Sequence, residues 1–101
     1  MLSLEEKTTA LKGYMDADGK FERFPGKRQK KKQAWMLEIL SSKFNFGQTY
    51  SEQEVNEILN AYHSFNDPAS LRRFMFGCGL FDRTIDGNAY RLLNKTSNFS
   101  F

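Results

Sequence analysis

Apolar positions along the chain follow a helical period through most of its length and a strand period near its end. Val55, Ile58, Leu59 and Tyr62 fall at i, i+3, i+4 and i+7, one face of a helix over 51–63. Ser51-Glu52-Gln53-Glu54 opens that helix as a capping box: a hydroxyl accepts from a first-turn amide, and a carboxylate three residues on reaches back. Leu71, Phe74, Met75 and Cys78 repeat the stripe over 67–77. Asp67 stands there as N-cap, Pro68 takes the first helical position, and Gly77 and Gly79 end the helix. Upstream, Ala34, Leu37, Leu40 and Phe44 share a face that Trp35, Met36 and Ile39 widen. A helix from Lys27 to about Lys43 follows, starting after the break at Pro25-Gly26. A further capping box, Ser3-Leu4-Glu5-Glu6, starts a short helix over roughly 4–13.

Leu80–Thr84 and Ala89–Leu93 flank Ile85-Asp86-Gly87-Asn88, and the Asp-Gly pair predicts a β-hairpin. Phe44–Tyr50 reads as a loop or short strand. In Lys20–Phe24 the two phenylalanines are three apart, which suits a helical turn better than a strand. Met15–Gly19 is turn chemistry; Asp16 and Asp18 lack the other ligands and closing Glu of a calcium loop. The order is helix, loop or short strand, helix, turn, helix, hairpin. It predicts a single domain, mainly α with a small β-hairpin (α+β), of winged helix-turn-helix-like architecture. An N-terminal helix and turn (1–19) would precede the winged-helix-like domain (20–93), and a polar tail (94–101) would follow it.

Charge sharpens this picture. The net charge is only +3, but residues 20–33 hold seven Lys/Arg and one Glu. A second positive stretch lies beyond residue 70, and 34–70 is acidic. The chain of 101 residues has room for one modest core, and its ten Phe predict an aromatic one. Cys78 is the single cysteine, so an intrachain disulfide and a paired-cysteine zinc site are both excluded. Cys78 on its apolar stripe reads as a buried, inert thiol. The early acids and the lack of an apolar run exclude a secretory signal, and no stretch approaches a membrane span. A cytoplasmic protein is expected. Asn94-Lys95-Thr96 and Asn98-Phe99-Ser100 match the glycosylation pattern but carry no meaning there.

Lys27, Arg28, Lys30, Lys31 and Lys32, with Lys20 and Arg23 nearby, are candidate phosphate contacts. Cations in a first helical turn oppose the helix dipole, so something other than local stability favours them. In a helix-turn-helix the second helix enters the major groove. Its first turn offers Ser70 but no cation; Arg72 and Arg73 follow one turn later. Two adjacent arginines point about 100° apart, so one of them is free to pair with an acid such as Glu54, Glu57 or Asp82. Arg83 and Arg91 flank the hairpin turn and can reach phosphate or a neighbouring acid. Glu52, Glu54 and Glu57 argue the other way, because the first helix of such a motif crosses the phosphate backbone. His63 is the lone histidine and lacks partners for a metal or a triad. Trp35 and the phenylalanines read as core before stacking platforms. No phosphate loop, nucleophile motif or cleft-forming carboxylate pair is present, so neither enzyme nor cofactor is expected.

FPGKRQKKK, YSEQEVNEIL, LRR and GLFDRTIDGNAY together resemble the family catalogued as the domain of unknown function numbered 2087. The resemblance covers roughly 21–92. It rests on Phe24, Pro25 and Lys27; Tyr50, Ser51, Glu52, Glu54, Val55 and Asn56; Asp67, Leu71, Arg72 and Arg73; and Gly79, Leu80, Arg83, Asp86, Gly87 and Tyr90. It implies a prokaryotic protein of a kind also found joined to a helix-turn-helix in transcriptional regulators, with no enzymatic activity attached. Phe74 departs from the family, which carries a polar or acidic residue after Leu-Arg-Arg. The expected function is nucleic-acid binding, DNA first, as a regulator-type domain. The alternative is a protein-interaction module using the acidic 51–58 surface and exposed aromatics such as Phe76 or Phe81. Oligomeric state is left open.

Overall fold

Three side-chain caps fix where the helices begin. A computed structural model of the chain describes residues 2–93; the expected tail and both glycosylation patterns lie outside these. Helix α1 (Leu4–Ala10) starts at the Ser3 cap: the Ser3 hydroxyl accepts from the Glu6 amide at 3.1 Å and the Glu6 carboxylate accepts from the Ser3 amide at 2.9 Å. A 3-10 turn, Lys12–Tyr14, ends this region. Helix α3 (Glu52–Asn60) has the same reciprocal box between Ser51 and Glu54. Helix α4 (Pro68–Gly77) is capped by the Asp67 carboxylate, which accepts from the Ser70 amide at 3.1 Å. Each cap satisfies amides that a helix start leaves without partners.

Helix α2 (Lys30–Ser41) has no side-chain cap and is shorter than the predicted 27–43. The Gln29 amide donates to the Gly26 carbonyl, so 26–29 is a turn. Lys27 and Arg28 therefore precede the helix. Gln33, one turn in, donates through Nε2 to the carbonyls of Pro25 (2.8 Å) and Gly26 (3.0 Å), tying the chain break to the helix.

Strand β1 (Thr49–Ser51) pairs antiparallel with β3 (Ala89–Leu92), and β3 pairs antiparallel with β2 (Phe81–Arg83). The hairpin is thus two-thirds of a three-stranded sheet in the order β1-β3-β2. Tyr90 faces Tyr50 on one side and Arg83 on the other. The predicted turn closes as the Gly87 amide donates to Thr84 at 2.9 Å, with Gly87 at φ +74. The Asp86 carboxylate accepts from the Thr84 hydroxyl and the Asn88 amide.

One core joins all these elements. Leu11 from the N-terminal region, Met36, Leu37, Ile39 and Leu40 of α2, Val55 and Leu59 of α3, and Leu71 and Met75 of α4 are buried in it. Phe44, Tyr50, Phe81 and Tyr90 close the sheet end. Phe44 meets Tyr50 at 5.1 Å and Phe81 at 4.9 Å, both edge-to-face, the favoured geometry for aromatic quadrupoles. Lys7 of α1 and Glu38 of α2 form an ion pair of 2.6 Å, with side chains only 8% and 13% exposed.

Four expectations change here. Lys20–Phe24 is extended rather than helical: Phe21 bridges to both Met15 and His63, its amide donating to Tyr62 and its carbonyl accepting from Ser64. Helix α3 stops at Asn60, so Tyr62 leaves the stripe and lies exposed under Lys43. The α3–α4 connection, 61–67, is longer than a three- to four-residue helix-turn-helix turn. His63 organises it from a buried position, Nδ1 lying 2.7 Å from the Leu59 carbonyl while Nε2 accepts from the Asp67 amide at 3.0 Å. Phe81 is buried, which removes it as an exposed partner contact.

Candidate functional site

The two adjacent arginines of α4 have different environments. Helical geometry turns them about 100° apart. Arg72 points toward α3 and the sheet, its side chain 12% exposed. Nε donates to the Tyr90 hydroxyl at 3.1 Å, one terminal nitrogen donates to Asn56 Oδ1, and the other pairs with Glu52 at 3.2 Å. This guanidinium is occupied in holding α4, α3 and β3 together, and the acid it takes is Glu52. Arg73 is exposed, its nearest polar contact the Ser70 hydroxyl at 3.5 Å. Ser70 itself is half-buried and engaged in the cap.

Arg73 lies along an open groove of about 720 Å³ between α2 and α4, together with Lys27, Lys30, Gln33, Phe74, Gly77 and Cys78. This groove brings together cations from the basic run and from the second cluster, 43 or more positions apart in the chain. The turn at 26–29 and the uncapped start of α2 place Lys27 and Lys30 there, and Gln33 anchors both from below.

The other predicted contacts lie elsewhere. Arg28 and Lys31 are exposed near the start of α2 and do not line the groove. Lys32 turns toward the N-terminal region, its Nζ 5.6 Å over the Tyr14 ring that Arg23 also covers at 4.2 Å. Arg83 rests over the exposed ring of Phe76 at 4.4 Å, joining β2 to α4. Arg91 faces Asp82 across the β2–β3 ladder and pairs with it at 3.7 Å on the surface. Arg83, Arg91, Thr49 and Thr84 border a small depression of about 160 Å³ on the sheet.

The sequence pattern assigns Phe74 to the core, but the residue is 47% exposed and stacks on Phe24 at 5.1 Å with 13° between the planes. Phe74 and Gln33 are the groove features that periodicity misses, with Phe24 behind Phe74. The one signal for Phe74 is its departure from the residue type expected after Leu-Arg-Arg. Cys78 at the groove is half-buried, and burial pushes its thiol up, away from the reactive thiolate.

Among the acids, the Glu54 carboxylate closes its own cap and Glu52 pairs with Arg72, while Glu57 remains exposed. Ser70 holds the Asp67 carboxyl below the usual range, first through its hydroxyl and then its amide. No group of three metal-ligating side chains occurs among the described residues. Nor is any of their helices long and apolar enough to cross a membrane.

Comparison with known proteins identifies a family. The model of a family described as "Uncharacterized protein conserved in bacteria (DUF2087)" matches residues 20–92. No curated protein and no solved structure matches the chain.

Proposed function

We propose, from the premise that this chain belongs to the bacterial DUF2087 family, that it binds nucleic acid, DNA first, through the groove between α2 and α4. The observation that carries this reading is the meeting of Lys27, Lys30 and Arg73 along one groove. Three cations held on separate elements make a positive surface that phosphates neutralise with release of counterions. No acid stands in the first turn of α2 to balance Lys30, Lys31 and Lys32 against the helix dipole.

The architecture supports the same reading. The order α2-β1-α3-α4-β2-β3, with β3 between β1 and β2, is compatible with a winged helix, and in this reading α4 would serve as the recognition helix and the 81–92 hairpin as the wing. Arg73 presents its cation on the groove side of α4, and Arg72 keeps the helix seated. The acids of α3 oppose docking less than their number suggests, because Glu52 and Glu54 are both engaged. The long α3–α4 connection sets this unit apart from a standard helix-turn-helix, so contacts centre on the groove side of α4. The domain binds and does not catalyse; a regulator is the setting that suits it, in the cytoplasm of a bacterium.

Fluorescence anisotropy with labelled duplex DNA, duplex RNA and single-stranded DNA, titrated across salt, tests the proposal, and only the failure of all three counts as absent binding. The logarithm of affinity falls linearly with that of salt, by about 0.9 per phosphate neutralised. Lys27→Ala, Lys30→Ala and Arg73→Ala each lower that slope by about one. Absent binding, or binding indifferent to salt, overturns the proposal.

A further inference from the structure

The α2/α4 groove carries more than cations. Phe74 stands in it with one ring face stacked on Phe24, yet remains 47% exposed. The Phe24 stack backs the ring on one side and fixes its plane, and the residue's exposure leaves part of it open at the groove. Gly77 and Cys78 continue the wall without charge, and Gly77 has nothing within 4 Å of where a Cβ would stand. The volume of about 720 Å³ lies in the range of small-ligand sites, roughly 300–1,000 Å³. A paired duplex offers such a recess only phosphate and sugar, because its bases are stacked inside. It leaves the aromatic face in water.

We infer that the groove takes an unpaired nucleobase of a single-stranded nucleic acid, stacked on Phe74, with the flanking phosphates on Lys27, Lys30 and Arg73. The inference rests on the polyanion reading above and narrows it to a class of strand. An aromatic platform beside a cationic track is what sequence-tolerant single-strand binding requires: every base has a π-face, and the backbone is held by charge. The Phe24–Phe74 stack supplies the platform already ordered, so binding costs little side-chain entropy. Cys78 takes no chemical part; its raised thiol suits a wall.

The test compares labelled oligothymidylate with a duplex of equal length at one salt concentration, with circular dichroism to establish folding of each variant. Wild type prefers the single strand. Phe74→Ala lowers single-strand affinity by about 5- to 150-fold, and lowers it more than duplex affinity. Phe74→Trp keeps the platform, retains binding, and shows indole emission quenched by the strand. Equal affinity for both forms, equal losses in folded Phe74→Ala, or unquenched Phe74→Trp emission on a bound strand overturns the inference while leaving polyanion binding standing. Failure of both nucleic acids to bind wild type overturns the polyanion reading itself.

Discussion

Arg72 and Arg73 are neighbours in sequence, and their replacement should have opposite effects. Arg72→Ala removes a guanidinium that satisfies the Tyr90 hydroxyl, Asn56 and Glu52. Glu52 is half exposed, so that ion pair contributes no more than about 1 kcal/mol. The bonds to Tyr90 and Asn56 come from a charged donor on a largely covered side chain, and each contributes about 1.5 kcal/mol, the lower end for charged hydrogen bonds. The sum, about 3–4 kcal/mol, is a large part of a stability of roughly 5–15 kcal/mol. At about 4–8 °C per kcal/mol for a chain of this size, the melting temperature drops by roughly 12–30 °C. Arg72→Lys recovers only part of this, because one ammonium cannot span three acceptors on three elements. Arg73→Ala, at an exposed position, shifts stability by no more than about 0.5 kcal/mol. Its cost falls on the salt slope of nucleic-acid binding. Thermal melts and urea titrations followed at 222 nm read the first effect, and anisotropy reads the second. An Arg72→Ala protein that melts with the wild type would refute this division of labour.

Two further outcomes follow from the same structure. Replacing one partner of the covered Lys7–Glu38 pair, as in Glu38→Leu, strands a charge and destabilises by about 3 kcal/mol; Lys7→Met combined with Glu38→Leu regains most of that loss in a urea titration. Stability also falls in acid. Glu6, Asp16, Asp67 and Asp86 are all held below their ordinary range, by the Ser3 amide, the Lys20 amide, Ser70 and the Thr84 hydroxyl respectively. Each folded value lies below its unfolded one, so the unfolded chain binds more protons in acid. Their contribution is full above the ordinary carboxylate range and is lost as pH falls through the folded values. The urea midpoint should be level from pH 7 to about 5.5 and decline below about 4; a midpoint unchanged down to pH 3 would contradict this assignment.

What the sequence made legible was local. The Ser3 and Ser51 boxes, the Asp67-Pro68 start and the Asp86-Gly87 turn each depend on residues within a few positions, and each forms as read. The α+β character followed from their order. Long-range partners were not legible. Phe74 has the same helical angle as a core position but lies where α4 meets Phe24, which covers one face of its ring while the residue stays 47% exposed. Strand β1 has three residues, too few for alternation to declare it, and its pairing is set by Tyr50 meeting Tyr90. Tyr62 kept its period in the sequence but not in space, because α3 ends before it. The candidate site was half visible. Charge counting found both cationic clusters, but only packing shows that Lys27, Lys30 and Arg73 share a groove and that Arg72 is spoken for.

Family likeness begins at residue 20, and the physical unit does not. Leu11, fully enclosed, plugs the core from outside the shared segment, and Lys7 neutralises a carboxylate on the helix that begins at the groove. A fragment trimmed to the limits of the likeness would open a hole beside α2 and leave Glu38 covered by nothing of opposite sign. The leading helix is therefore a buttress for the very element that presents Lys30. Chains that share the 20–92 segment must brace that element by this means or by another of their own.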